Sequence, residues 1–333
     1  MRTLFLSFIF FTGLWGNPTG PLVVAGEAKF EGSECLKIEA ADRTIIHWSD
    51  FSISQGETVK FIQPSSEAAV LNRVVDALPS RLLGQMSGNG RVVLVNPNGI
   101  LVGKQGQIDT ASFVASTLDV HNQSFLDNGE LACREISWGM VVNEGEIRGS
   151  EVILMGFEVQ NNGTIQGGQV DLIGAKEVWL KGSPFSIRTK CSPEESQKLR
   201  EMIEADGNVY AAAFKHPEDC DWPVLQILDG TEAMNLPGPA AIVKGTVSGQ
   251  ELNVFGDYVD VRKEALLKGG TILLGGKNET MKSARLTKVE GTVQGDKVTV
   301  WGDGGVVFYG LISAQTIEMD TPGYFVSQGK ISE

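Results

Sequence analysis

Residues 145–174 read GEIRGSEVILMGFEVQNNGTIQGGQVDLIG, and this stretch contains one pattern twice. The pattern is a glycine, an aliphatic residue two positions later, a second glycine, and two aliphatic residues at alternate positions before a third glycine. The two copies begin at Gly145 and Gly163. Alternation of apolar and polar residues is typical of β-strands, and glycine is typical of a sharp corner. Each copy therefore predicts two short strands broken by a glycine corner.

The same pattern recurs later in the chain. Further copies begin at Gly245 and Gly291, and a degenerate copy begins at Gly310. One copy cannot bury its apolar face alone, whereas stacked copies form a continuous core. Leucine-rich repeats need a helical segment, propeller blades need about forty residues, and an antiparallel sandwich does not explain fixed glycine offsets.

The repeat thus predicts an all-β fold, a right-handed parallel β-helix over residues 28–180 and 240–325. In this fold the aliphatic residues of the first two copies point inward and align between neighbouring rungs. These residues are Ile147, Val152, Leu154, Ile165, Val170 and Leu172.

The amino-acid composition agrees with a fold that has glycine at its corners and a hydrophobic core. Glycine accounts for 40 of the 333 residues, against roughly 7% in average proteins, and 42% of residues are hydrophobic. The net charge of −13 disfavours binding to nucleic acid or to an anionic membrane surface through bulk electrostatics. We therefore expect no nucleic-acid partner.

The N-terminus has the features of an exported chain. Residues 1–16, MRTLFLSFIFFTGLWG, are nearly all apolar after one positive charge and too short to span a bilayer, which predicts a signal peptide. Cleavage after Gly16 is preferred, and cleavage after Ala25 is the alternative. Short alternating strands are predicted around residues 35–38, 44–48 and 58–62, and residues 17–65 are expected to form a β cap over the first rung.

A second informative stretch is residues 91–120, RVVLVNPNGILVGKQGQIDTASFVASTLDV. Its first five residues suit a strand that is buried on both faces. Asn96-Pro97-Asn98-Gly99 then predicts a tight turn, because Pro97 fixes its own φ and both Asn98 and Gly99 tolerate positive φ. Ile100 begins the next strand.

This stretch resembles the secretion domain of two-partner-secreted bacterial exoproteins, the filamentous haemagglutinin-like group. The N-P-N-G-I signature of that family falls on residues 96–100, and Leu71-Asn72-Arg73-Val74 and Val114-Ala115-Ser116-Thr117 match it in order and spacing. The resemblance also extends to Trp48, Phe51 and Ile53 and to residues 206–211. It implies a secretion motif formed by Asn72, Arg73, Asn96, Pro97, Asn98, Gly99 and Ile100.

The resemblance implies a partner and a route. The partner is an outer-membrane β-barrel transporter whose periplasmic receptor domains bind the exported chain. The chain then folds rung by rung at the surface of a Gram-negative-type bacterium, and is secreted or stays on the cell surface. An adhesin-type role toward a host receptor or glycan is expected. The implied domains are a signal peptide (1–16), the secretion domain (17–180), a non-repeat excursion (181–239) and further rungs (240–333).

The signature turn has two possible roles, shaping the fold or touching the transporter, and the residue types favour the first. A structural turn predicts that Asn98→Asp is mild and that Gly99→Val is severe, because a β-branched residue is strained at positive φ.

The excursion breaks the repeat. Ser192-Pro193-Glu194-Glu195 has the form of a capping box with proline at the first helical position, and predicts a helix near residues 193–205. The four cysteines form no C-x-x-C pair, so a zinc or thioredoxin-type site is disfavoured. They are Cys35, Cys133, Cys191 and Cys220, and either a Cys191–Cys220 disulfide or four free thiols is possible.

Catalytic and metal-binding motifs are absent from the sequence. The three histidines, His47, His121 and His216, are widely separated, and no cofactor or metal is expected. The alternative function is a β-helix lyase or hydrolase acting on polysaccharide, which needs clustered carboxylates. The nearest such cluster is Asp257, Asp260, Arg262 and Lys263, for which a solvated turn is the favoured interpretation. A non-enzymatic protein is therefore predicted.

Overall fold

The computed structural model describes residues 17–208, 210, 238–276 and 282–332. The proposed signal peptide and Cys220 lie outside these residues, so neither the peptide nor the Cys191–Cys220 disulfide is addressed by the structure. Among the described residues, Cys35, Cys133 and Cys191 form no disulfide with one another. No helix in the described part of the chain is long and apolar enough to cross a membrane.

Most of the chain belongs to two β-sheets that run along the molecule. The larger sheet has fifteen strands. They are β1 (Leu22–Ala25), β2 (Ala28–Glu31), β3 (Cys35–Ala40), β4 (Thr44–Trp48), β5 (Thr58–Ile62), β6 (Ala69–Val74), β8 (Gln85–Val95), β10 (Gln107–Ser116), β14 (Glu146–Gly156), β16 (Thr164–Gly174), β20 (Thr246–Phe255), β22 (Leu266–Leu274), β24 (Thr292–Trp301), β26 (Leu311–Asp320) and β28 (Lys330–Ser332).

The second sheet has nine short strands. They are β7 (Ser80–Leu82), β9 (Ile100–Val102), β13 (Met140–Asn143), β15 (Glu158–Asn161), β19 (Ala240–Val243), β21 (Tyr258–Val261), β23 (Leu286–Val289), β25 (Gly305–Phe308) and β27 (Tyr324–Ser327). Each rung supplies one long and one short strand, and successive rungs pair in parallel. The predicted parallel β-helix is confirmed.

The repeat residues occupy the predicted positions. Ile147 lies opposite Ile165 and Leu154 lies opposite Leu172 in the register of β14 and β16, and Val152 and Val170 are likewise paired. All six aliphatic side chains are buried in one core that runs along the solenoid. The two short strands predicted for each copy are one long strand, because both halves pair with the same neighbouring rungs.

The first glycine of each copy is explained by close stacking. A Cβ on Gly163 would lie 2.2 Å from the carbonyl oxygen of Gly145, and a Cβ on Gly245 would lie 2.0 Å from that of Gly163. Such distances are far inside van der Waals contact, so the corners stack only if they lack side chains. The rung that begins at Ala265 was not identified from the sequence pattern, because alanine replaces the first glycine of the pattern at this position.

Residues 91–95 of strand β8 are buried on both faces, as their composition predicts. Val92 and Leu94 face the solenoid core, whereas Val93 and Val95 face a second apolar cluster outside it. That cluster is covered by an antiparallel sheet and a short helix, α1 (Asn122–Asn128). The sheet consists of β11 (Asp119–Val120), β12 (Leu131–Arg134), β17 (Glu177–Lys181) and β18 (Ser186–Arg188).

This antiparallel layer corrects the predicted extent of the solenoid. Residues 119–134 and 177–180 were expected within the rungs, but they lie outside them. The outer faces of the long strands carry apolar residues such as Ile153 and Ile173, and these need a cover. Alternating strand residues look alike in either layer, so the sequence did not distinguish the two.

The predicted helix of the excursion is confirmed as α2 (Pro193–Ala205). Its N-cap Ser192 accepts a hydrogen bond from the backbone N–H of Glu195, whose carboxylate accepts one from the Ser192 N–H. Leu199 and Ile203 are buried against Ala132 of β12. The helix therefore sits on the antiparallel layer.

The N-terminal cap consists of β1 to β5. Strands β1 and β2 pair antiparallel with β4 and β3, which closes the first rung. Trp48 and Phe51 pack edge to face with ring centroids 5.3 Å apart, and both rings are fully buried. Since β1 is paired with β4, cleavage after Ala25 would remove a strand of the fold, whereas cleavage after Gly16 would leave it intact.

Candidate functional site

The signature residues 96–100 form a corner between the two long sheets. Strand β8 ends at Val95 and β9 begins at Ile100, so the turn directs the chain from the larger sheet to the smaller one. The Asn96 side-chain amide donates to the carbonyl oxygen of Leu78 and to the hydroxyl of Ser80, both at 3.0 Å. Asn96 thereby fixes the preceding rung against the turn.

Other polar groups of the turn also bond within the fold, although the buried side-chain oxygen of Asn98 has no hydrogen-bond partner among the described residues. The Asn98 N–H donates to the Asn96 side-chain oxygen at 2.9 Å, and the Asn98 amide donates to the carbonyl oxygen of Asp76 at 2.8 Å. The Ser137 hydroxyl donates to the carbonyl oxygen of Pro97. The corner is thus bonded to the rung on each side.

Asn98 and Gly99 differ in backbone conformation. Gly99 has a φ of 118°, as the turn predicts, whereas Asn98 is not among the described residues with positive φ. The asparagine is therefore needed for its side-chain amide and not for a left-handed backbone. An aspartate carboxylate cannot donate to the Asp76 carbonyl, so the premise for a mild Asn98→Asp is corrected.

All seven predicted signature residues are buried. Asn72, Arg73, Asn96 and Asn98 have no exposed surface, Ile100 is 1% exposed, and Pro97 and Gly99 are also buried. Asn72 accepts a hydrogen bond from the indole N–H of Trp48 at 3.0 Å. A partner approaching the folded domain would not reach these side chains.

Arg73 is the centre of a buried polar network. Its Nε donates to Oδ1 of Asp119 at 3.0 Å, and both side chains are at most 1% exposed. One terminal nitrogen donates to the Val120 carbonyl at 2.6 Å, and the other donates to the Asn122 side-chain oxygen at 2.8 Å. Although burial opposes ionisation, Asp119 raises the pKa of Arg73, so the guanidinium stays charged.

His47 completes this network from the solenoid side. Its Nε2 lies 3.1 Å from Nη1 of Arg73. Burial, together with the charge of Arg73, lowers the pKa of His47 to about 4. The imidazole is therefore neutral at physiological pH and can accept a hydrogen bond from the arginine. His47 therefore has a structural partner in Arg73.

The segment that follows α2 reaches the same network. Asp206, which caps α2, accepts a hydrogen bond from the Asn122 N–H at 2.6 Å, and its other oxygen lies 3.8 Å from Nε2 of His121. Asn208 donates to Oδ2 of Asp119 at 3.3 Å, and the hydroxyl of Tyr210 is buried. Sequence reasoning linked residues 206–211 to the family, but it did not place Asp206 and Asn208 beside the Arg73 network.

Two buried carboxyl groups lie away from the signature corner. Asp171 accepts hydrogen bonds from Asn253 at 2.7 Å and from Gln169 at 2.8 Å, yet burial raises its pKa to about 7. Burial also raises the pKa of Glu158 to about 7. Each carboxyl group therefore has a substantial neutral fraction near pH 7.

The cluster considered for polysaccharide cleavage is not a solvated turn. Asp257 and Asp260 are only 6% and 8% exposed. Lys282 lies 2.7 Å from Asp257, and Arg262 lies 3.0 Å from Asp260. The favoured sequence interpretation was wrong about exposure, because these two carboxylates are buried, each paired with a more exposed basic side chain. Pairing gives them a structural explanation.

Comparison with known proteins places the chain in a family. The model of the TPS secretion domain matches residues 25–210, which is more than half of the chain. A heme/hemopexin-binding protein of Haemophilus influenzae (strain Rd) is 31% identical over 205 residues, covering 58% of this chain and 23% of that protein. Another heme/hemopexin-binding protein of Haemophilus influenzae is 34% identical over 107 residues, covering 32% and 12% of the two chains.

The chain thus spans less than a quarter of the length of these relatives. Among solved structures, the HMW1 secretion domain from Haemophilus influenzae is similar in fold, with a TM-score of 0.58 and 19% identity. That similarity covers 95% of this chain and 100% of the other. The matched model, the β-helix and the signature corner lead to one conclusion: the chain belongs to the family of TPS secretion domains, found in exoproteins of two-partner secretion systems.

Proposed function

We propose that this region directs the export of an exoprotein through a dedicated outer-membrane β-barrel transporter, and that its signature corner acts by building the fold. The observation that carries the second part is the burial of all seven signature residues. Side chains with no exposed surface can contact a transporter only before folding. The side-chain hydrogen bonds of the three asparagines and of Arg73 give these four residues a role within the fold.

A parallel β-helix suits vectorial export. Each rung contacts mainly its neighbours, so a rung can fold on the previous one while the rest of the chain is still extended. The closed cap of β1 to β5 supplies a starting template. In this mechanism the free energy of rung formation outside the cell favours outward movement, and a defect at the signature corner slows export by slowing folding.

The proposed partner of the cap is the set of periplasmic receptor domains of the transporter. Strand β1 pairs only with β4 among the described strands, so its other edge is open. Leu22 and Val24 on β1 are 64% and 46% exposed. An open edge with apolar side chains suits strand addition. The double substitution Leu22→Asp and Val24→Asp is expected to weaken binding to those receptor domains without unfolding the solenoid. Unchanged binding would exclude β1 as the contact with the receptor domains.

The main test compares two glycines with positive φ. Gly99 has a φ of 118° and Gly56 has a φ of 85°. Gly56 lies in an exposed turn of the cap, where an added Cβ would have no other atom within 4 Å. Valine at either position is strained by about 1–3 kcal/mol. Yield in the medium or on the cell surface is measured in cells carrying the partner transporter, beside refolding of the purified variants.

If the corner acts through folding, Gly99→Val lowers both refolding and export, and Gly56→Val lowers export only as far as it lowers stability. A Gly99→Val protein that refolds normally but is not exported would show direct recognition of the turn. Export that continues without any partner transporter would overturn the two-partner proposal itself.

An adhesin-type role at the bacterial surface is a second candidate. Trp138 stacks on Phe157 with ring centroids 4.7 Å apart and planes 5° from parallel. Trp138 also borders a cleft of about 330 Å³ whose rim includes Glu135 and Arg200. An aromatic face beside charged groups suits a glycan. Loss of glycan binding in Trp138→Ala, with Trp301→Ala as the control, is the expected result, and equal binding by both would exclude this cleft.

The ligand named for the Haemophilus relatives does not transfer to this chain, because the shared part is 23% of the longer match. The alternative of a polysaccharide lyase or hydrolase has no support from the comparisons or from the ion-paired Asp257 and Asp260. The proposed location is outside a Gram-negative bacterium, in the medium or at the cell surface.

A further inference from the structure

We infer that residues 206–208 form a latch. They lock the outer antiparallel layer onto the first rungs, and the secretion domain is complete only when they have docked. The latch itself is a property of the fold, whereas its effect on export rests on the proposed function. It extends the domain beyond residue 180, the limit expected from the sequence.

The contacts of the latch connect segments that are distant in sequence. Asp206 binds the backbone of Asn122 at the start of α1, at 2.6 Å. Asn208 bridges the buried ion pair, because it donates to Asp119 at 3.3 Å and accepts from Arg73 at 3.4 Å. Three layers meet here: the solenoid through Arg73, the outer layer through Asp119 and Asn122, and the excursion through Asp206 and Asn208.

The ion pair explains why the latch is needed. Arg73 and Asp119 are at most 1% exposed, and a buried charge is costly unless all of its hydrogen-bonding capacity is used. Oδ1 of Asp119 is bonded to Arg73, whereas Oδ2 is bonded to Asn208. Until residue 208 arrives, one oxygen of a buried carboxylate lacks this protein donor.

Helix α2 holds the latch in place. Leu199 and Ile203 pack on Ala132 of β12, and the helix ends directly at Asp206. The helix and the latch therefore clamp residues 119–134 from two directions. The match to the secretion-domain model ends at residue 210, just after the latch.

The order in which the chain leaves the transporter determines when the latch can form. An N-terminus-first chain presents Arg73 and Asp119 well before Asn208, so the outer layer stays loosely held while the intervening residues emerge. Closure of the latch then removes the ion pair from water and secures the first rungs. The outer layer is thereby locked by a segment that emerges after the first rungs.

Cys133 provides a local probe of latch opening. Its thiol is fully buried on β12, and Val120 of β11 is its register partner. The experiment uses the full chain with Cys35→Ser, Cys191→Ser and Cys220→Ser, so that an added thiol reagent reports Cys133 alone. The latch variant is Asp206→Ala with Asn208→Ala.

Two controls separate the latch from general weakening. Glu201→Ala changes an exposed residue of α2, and Gly163→Ala weakens the solenoid at a distant corner. We expect the latch variant to label Cys133 at least tenfold faster than the parent. This labelling should depend little on urea below the unfolding transition, because local opening exposes little surface.

The inference is overturned if the latch variant labels at the parental rate. It is also overturned if its labelling follows urea as steeply as that of Gly163→Ala, since that result means global unfolding. Export of the latch variant is measured separately in cells. Fast local labelling with unchanged export would support the latch but exclude a role for it in export. If export proceeds without a transporter, the proposed function is wrong, but the latch is not affected.

Discussion

Replacing Asn98 with aspartate removes one hydrogen-bond donor at the signature corner. Asn98 has no exposed surface, and its amide donates to the Asp76 carbonyl oxygen at 2.8 Å. A carboxylate at this position faces that carbonyl with two acceptors and no donor. Leaving a buried carbonyl unpaired costs about 1–3 kcal/mol, and the buried negative charge adds to this cost.

The substitution is expected to be pH-dependent. Burial and the neighbouring carbonyl raise the pKa of the new carboxyl group above its unfolded value of about 3.9. When protonated, the group can donate to Asp76 as the amide does. The folded variant therefore binds the proton more tightly than the unfolded chain, and stability is lost as pH rises from about 4 through the folded pKa. We expect a loss of about 1 kcal/mol at pH 5.5 and about 3 kcal/mol at pH 8, relative to the parent.

Urea unfolding followed by tryptophan fluorescence at the two pH values measures this difference. Asn89→Asp is the matched control, because the Asn89 amide also donates to a carbonyl oxygen, that of Gln63, at 2.8 Å, but Asn89 is exposed. The control should change stability by less than about 0.5 kcal/mol at either pH. Comparable stability of the two variants at pH 8, or a difference from the parent that does not grow with pH, would refute this account of the corner.

Two further predictions concern the solenoid. Gly163→Ala is expected to destabilise the protein by about 1–3 kcal/mol, because its Cβ would lie 2.2 Å from the Gly145 carbonyl oxygen, and a lower urea midpoint with an unchanged slope would show this. The pKa of Asp171, raised to about 7, makes the folded state bind an extra proton, so the parent should lose up to about 2 kcal/mol through this group between pH 5.5 and 8. Asp171→Asn should make stability depend less on pH, and an unchanged dependence would contradict the assignment.

The glycine and aliphatic pattern predicted the rungs because each repeat position has a single physical requirement. Gly163 must lack a side chain, and Ile165 must fill the core. The strands of the cap and the helix at Pro193 followed from equally local signals, alternation and a capping box. These elements are encoded by residues near in sequence, so the sequence alone was sufficient.

The network around Arg73 could not be predicted in the same way. Asp119 lies 46 residues from Arg73, and Asn208 lies 135 residues from it. No pattern of spacing brings such residues together, because the antiparallel layer that carries Asp119 and Asn122 leaves the repeat. The motif containing Arg73 identified the region, but the burial of its side chain and the identity of its partners required the structure.

The connections between neighbouring rungs differ greatly in length, which bears on where such a domain can accept insertions. Between β14 and β15 the chain crosses a single residue, Phe157, whereas between β16 and β19 it crosses residues 175–239. The ladder is unaffected, since Glu158 still lies opposite Ala240. Lengthening a flexible loop costs about 0.6 kcal/mol per doubling, so this expansion costs on the order of 4 kcal/mol in loop entropy.

Burial of Leu199 and Ile203 offsets part of that cost. The corner after β16 is therefore a position that tolerates insertions, because the two rungs on either side of it remain in register. In this protein the long connection leaves the stacked glycines and the register of the two rungs intact. Evolution can use the same position to add new surface to an export domain whose frame stays fixed.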